Sequence, residues 1–285
     1  MLNRPLKSTI LITILWLVIS TLLPMPVIVL FAVLGPGLDK LTLQMISAVI
    51  DIVFSLLFLY LFKRKFSPDY EGTFIFTDLG TGLLLGWPLA LQIIIHLYGV
   101  FTKGIVTAIP IALLLGLGPG VMEEVVFRGI IGANLMRICP EERKIPYVVI
   151  LPSVVFGLIH AINMASGANL WITLFQIVFA ITSGMLMQAV MLRTGSIVPG
   201  IILHTLIDFT SFLTMNMADT GAVLTQELSL AYLIEVIPIA ACLIGAFYLV
   251  RPAKRAEIRA LWDKKWGACL SSLAETRPAD GPAEA

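Results

Sequence analysis

The sequence predicts an all-α, polytopic membrane protein, a bundle of about eight transmembrane helices. Three observations predict it. Of 285 residues, 58% are hydrophobic and only 13% are charged, where a soluble domain runs to about half and about a quarter. The mean hydropathy is +0.96 over the whole chain. Apolar runs of about 20 residues, enough for a helix to cross roughly 30 Å of hydrocarbon, recur from end to end. A water-soluble fold is excluded. The net charge of +1 excludes a strongly basic nucleic-acid binder. Cys139, Cys242 and Cys269 are odd in number and far apart, so no disulfide framework or cysteine zinc site is expected.

Taken in order, the expected spans are 8–34, 41–62, 77–99, 104–137, 147–165, 170–192, 196–216 and 228–250. The first follows Arg4 and Lys7 but is too long for a signal peptide and lacks a small-residue cleavage site, so it reads as an uncleaved span. The fourth would be about 50 Å long as one straight helix. The run Gly116-Leu117-Gly118-Pro119-Gly120 interrupts it, and the helix is expected to break there.

Charge sets the topology. With the N-terminus inside and one crossing per stretch, all of the 19 Lys and Arg lie on the cytoplasmic side except Lys40, Lys103 and Arg128. This satisfies the positive-inside rule and puts both termini in the cytoplasm of a cell-membrane protein. Counting the fourth stretch twice would reverse everything after it. Residues 1–250 form a single transmembrane domain, and 251–285 a cytoplasmic tail. In that tail, 251–266 alternates basic and apolar groups, including Trp262 and Trp266, as in an amphipathic helix on the inner surface. Beyond 267 the composition predicts disorder.

Against this background a few ionisable residues stand out. Each costs about 2.5–3.5 kcal/mol at the bilayer centre, and the default reading is a functional site. Glu123, Glu124 and Arg128 fall in the fourth span, His160 in the fifth, His204 and Asp208 in the seventh. Glu124 and Arg128 are four apart on one helix face and can pair, while Glu123 points about 100° away. His204 and Asp208 are likewise four apart, so the carboxylate can orient the imidazole. Depths counted from the cytoplasmic ends let three helices bring one acid and two imidazoles together near mid-membrane. Such a set suits general acid–base catalysis by a buried glutamate beside histidines. It also suffices for a catalytic Zn²⁺ with one open position, drawn from His160, His204, Asp208 and Glu123. Spacing leaves both open, and no H-E-x-x-H is present. Asp51, His96 and Glu235 stand outside the expected site, with His96 read as interfacial.

Three motifs resemble those of the CAAX protease and bacteriocin-processing (CPBP, or Abi) family of intramembrane peptidases. E-E-x-x-x-R is met by Glu123-Glu124-Val125-Val126-Phe127-Arg128, F-x-x-x-H by Phe156 through His160, and H-x-x-x-N/D by His204 through Asp208. The likeness covers about 120–210, within a catalytic core of about 104–216. It implies an eight-helix fold and an endopeptidase, a hydrolase of metallo or glutamate type, acting on a membrane-delivered peptide or lipidated protein. By position it makes Glu123 the base that activates water and His160 its partner. It makes His204 and Asp208 an oxyanion-stabilising or metal-binding pair, with Glu124, Arg128 and Phe156 as supports. Asp208 stands where prenyl-protein peptidases typically carry Asn. An ionised carboxylate cannot donate to an oxyanion, so Asp208 is protonated, a metal ligand, or the orienter of His204.

Two other functions compete. A secondary transporter would use the same acids and imidazoles as a proton relay, but expects broken helices in two related halves, and the acidic break occurs once. A non-catalytic scaffold or immunity protein would tolerate loss of a motif residue, and none is missing.

Overall fold

The structure, a computed structural model, describes residues 39–66, 70–165, 167–216 and 230–267. The expected first span and the tail beyond 267 lie outside the described residues. Among the described residues every regular element is helical and none is a strand.

Helix α1 (Lys40–Leu61) begins at Asp39, whose side chain accepts from the Thr42 N–H at 2.7 Å. Its last turn widens into a π-wound stretch, Phe62–Phe66. Helices α2 (Leu79–Leu85) and α3 (Pro88–Lys103) meet at a 72° bend, where Gly86 ends one and Pro88 opens the other. Then come α4 (Ile109–Glu123), a π-wound stretch Glu124–Gly132 and α5 (Ala133–Ile138), together one span of 30 residues. Helix α6 (Ile145–Ile159) is followed by the short α7 (Ile162–Ala165). Helix α8 (Leu170–Thr194) is capped by Asn169 and closed by Gly195 at φ 69°. Helix α9 (Val198–Leu213) carries Pro199 in its first turn, and α10 (Val236–Leu249) and α11 (Pro252–Trp266) are the last helices among the described residues.

Each expected span within the described residues has a helical counterpart. Four are long and apolar enough to cross alone, Leu41–Arg64, Ile109–Ile138, Glu142–Met164 and Leu170–Thr194, and up to six qualify if each bent pair counts as one. The protein is a multi-pass membrane protein. The count of eight is not reached, because the first span is undescribed and α9 spans only 16 residues.

The expected break at Gly116–Gly120 does not occur. Helix α4 runs through Pro119, and the glycines serve packing. A Cβ on Gly118 would stand 2.9 Å from the Ala48 Cα of α1. One on Gly116 would stand 2.8 Å from the Phe209 N of α9, and one on Gly120 2.4 Å from the Thr205 Oγ1. Small residues let backbones approach where lipid offers no hydrophobic drive between helices. So α4 is gripped by α1 on one side and α9 on another, and the helical irregularity comes later, at Glu124–Gly132. A second group is built on α8, which packs against α6 and α10.

The tail is less free than expected. Helix α11 turns 70° from α10, and Trp262 and Trp266 are wholly buried against protein. The Trp262 indole donates to the Leu192 carbonyl at 3.1 Å, and Trp266 stacks on Tyr70 at 4.1 Å between ring centroids. Arg259 donates to the carbonyls of Met136 and Cys139, so α11 caps the end of α5.

Candidate active site

The site forms where the end of α4 meets α9 and α6. Glu123 closes α4, and Glu124 opens the π-wound stretch that also carries Arg128. Such stretches recur at functional sites because the wider winding re-aims side chains. Glu124 and Arg128 are both buried, with Nη1 and Oε1 2.9 Å apart. Two glycines make room for them. A Cβ on Gly200 would lie 2.6 Å from Glu124 Oε2, and one on Gly184 would lie 2.9 Å from Arg128 Nη2.

Helix α9 presents His204 and Asp208 to this pair. His204 Nδ1 is 3.1 Å from Glu124 Oε1, and an ionised carboxylate only accepts, so Nδ1–H is the donor. That bond turns Nε2 toward two other carboxylates, 3.5 Å from Glu123 Oε2 and 3.7 Å from Asp208 Oδ2. The separation from Asp208 exceeds hydrogen-bond reach. Glu124, on another helix, therefore fixes the imidazole, and Asp208 on the same helix does not.

Phe156 joins the third element. Its ring meets His160 edge-on at 5.1 Å and His204 at 6.2 Å, and Arg128 Cζ stands 4.6 Å over its face. His160 Nδ1 is 3.1 Å from the Phe156 carbonyl oxygen, and its ring lies within electrostatic reach of His204 and Asp208. The seven residues expected at the site thus converge. Glu123, His204 and Asp208 keep partial access, with side-chain exposures of 17%, 11% and 24%, while Glu124 has 1%. The partly exposed acids can touch substrate, and the buried one can only orient.

Three features escaped sequence reasoning. Asp51 of α1 lies within electrostatic reach of Glu123. Gly184 and Gly200 leave no motif of their own. His96 bonds to its own helix and to α9. Its Nε2 is 2.8 Å from the Gln92 amide nitrogen and its Nδ1 is 3.1 Å from the Ile207 carbonyl oxygen of α9, while Gln92 also bonds Glu235. The i, i+4 spacing of Gln92 and His96 was the one available signal.

As for a metal, no group of three His, Cys, Asp or Glu among the described residues has an arrangement that could hold one. The side chains as placed do not fit a zinc centre.

Comparison with known proteins gives one match. Residues 105–210 fit the family model described as type II CAAX prenyl endopeptidase, Rce1-like, which bears out the motif resemblance over that segment. No curated protein and no solved structure matches the chain.

Proposed function

We propose that this chain, in which residues 105–210 are similar to the Rce1-like type II CAAX prenyl endopeptidases, is an intramembrane peptidase using Glu123-activated water. The observation that carries the reading is the 3.5 Å approach of Glu123 Oε2 to His204 Nε2, in a pocket partly open beside a buried ion pair.

Glu123 takes a proton from a water molecule, and the resulting hydroxide adds to the substrate carbonyl carbon. The negative charge gathering on the carbonyl oxygen is met by Nε2–H of a doubly protonated His204, whose Nδ1–H stays on Glu124, while the unprotonated Nε2 of His160 accepts from the attacking water. As the tetrahedral intermediate collapses, the C–N bond breaks and Glu123 returns its proton to the leaving amine. Glu124 and Arg128 hold His204 in its donor orientation, and Phe156 keeps both imidazoles upright. No step runs through a metal. The substrate class is a membrane-delivered or lipidated protein or peptide, because a soluble chain would have to desolvate to reach this depth. The distribution of basic residues supports a reading with both chain ends in the cytoplasm of a cell-membrane protein.

The test follows cleavage of a prenylated peptide and its unprenylated twin by purified protein, with Glu123→Ala and His160→Ala alongside. Loss of about 10²-fold or more in both variants is expected. Unchanged cleavage in both variants sinks the assignment. A chelator arm is expected to leave the rate unaltered.

A further inference from the structure

The end of α1 on the basic side of the bundle carries a groove of about 220 Å³ that has no part in the proposed chemistry. Leu56, Leu59, Tyr60 and Phe74 form its apolar walls, and Lys63 stands on its rim. The Tyr70 and Thr73 hydroxyls line its inner wall, fully buried, facing each other and with no other hydrogen-bond partner among the described residues. Lys63 spends one of its three N–H donors on the Glu71 carbonyl at 3.0 Å, which leaves two. Arg64 sits beside it, hydrogen-bonded to the Tyr60 hydroxyl. Glu71, the acidic group of the lining, lies within electrostatic reach of Lys265.

We propose that this groove binds one anionic phospholipid of the adjoining leaflet, its phosphate at Lys63 and Arg64 and an acyl chain along Leu56 and Tyr60. The polarity pattern selects an amphiphile over a soluble anion. Val53, Leu56, Leu57 and Tyr60 recur at helical spacing, and all are exposed, so the groove opens onto an apolar stripe leading toward mid-span. At its other end are two adjacent cations, each worth about 1 kcal/mol toward anionic lipid. An interfacial tyrosine marks the headgroup level between them. The groove also touches the reactive helix. A Cβ on Gly129 would lie 3.3 Å from Thr73 Oγ1 and 3.6 Å from Leu59 Cδ1, and Gly129 follows Arg128 directly.

The test is native mass spectrometry of the full chain in mild detergent with equimolar phosphatidylglycerol and phosphatidylcholine. Wild type is expected to retain phosphatidylglycerol at least about fivefold better, the factor one cation supplies. Lys63→Gln with Arg64→Gln brings the ratio near unity, and Lys103→Gln, at the opposite end of the bundle, leaves it intact. Leu56→Trp fills the groove and lowers adducts of both lipids, with thermal melting confirming that the variants fold. Equal retention by wild type overturns the proposal, as does a loss of preference in Lys103→Gln matching that of the double variant. Undiminished adducts in Leu56→Trp overturn it too, by reducing the effect to surface attraction.

Discussion

His204 and Arg128 share one oxygen. Glu124 Oε1 lies 3.1 Å from the imidazole Nδ1 and 2.9 Å from the guanidinium Nη1. One buried carboxylate thus neutralises a cation on its own helix and orients an imidazole from another. These two duties separate experimentally. Glu124→Ala leaves Arg128 buried and uncompensated, at a cost of about 3–5 kcal/mol. The neutral pair Glu124→Leu/Arg128→Met should recover most of the melting temperature yet remain about 10–100-fold slow, because His204 has lost its acceptor. Recovery of cleavage together with stability would remove the orienting role.

Asp208 stands 3.7 Å from His204 Nε2, too far to hydrogen-bond. Asp208→Asn should therefore keep the rate within about tenfold of wild type, and an amide there can donate to an oxyanion. Asp208→Ala should lose more. Initial rates on one prenylated peptide compare the three forms directly.

Gly116 faces backbone, whereas a Cβ on Gly80 would meet nothing within 4 Å. Gly116→Ala must push α9, and with it His204, for about 1–3 kcal/mol and a loss of cleavage. Gly80→Ala should be neutral or stabilising by about 0.5–1 kcal/mol. Thermal melting of the two purified variants decides this.

Trp262 of α11 is fully buried, while Asp263 is half exposed beside Arg259. Trp262→Ala should cost about 3–5 kcal/mol and open the chain to proteolysis after residue 250. Asp263→Ala removes only the half-exposed partner of the buried Arg259, which keeps its two carbonyl acceptors, and should cost less. Equal protease resistance in the two would mean that α11 is not held by its tryptophans.

Burial pushes the Cys139 thiol above its ordinary range, with Lys144 opposing and Glu141 reinforcing the shift. Less thiolate then exists at neutral pH, and thiolate is the reactive form. In a Cys242→Ser/Cys269→Ser background, maleimide uptake at pH 7 should be slower than for a free thiol and should rise with pH up to a higher midpoint. A midpoint at or below that of free cysteine would contradict the burial.

What the sequence made legible follows from the reach of its signals. Apolar runs report membrane crossings, so α1, α6 and α8 were readable in place. Spacing within one helix reports shared faces, which is why Glu124 and Arg128 could be paired in advance. The bond from Glu124 to His204 joins residues 80 positions apart, and no periodicity speaks across that interval. Glycine beside proline reads equally as a break or as a close crossing. Only the presence of Ala48 and Thr205 opposite Gly118 and Gly120 decides for the crossing. Trp262 and Trp266 were misread for a related reason, since an apolar helix face does not say whether lipid or protein will cover it.

The π-wound segment at Glu124–Gly132 holds more residues per turn than an ordinary helix. Deleting one residue from it would tighten the winding instead of severing the rod. Everything downstream would keep nearly the same height in the bilayer and nearly the same facing about the axis. A single-residue deletion here is therefore absorbed, where the same deletion in an ordinary helical turn would rotate all that follows by about 100°.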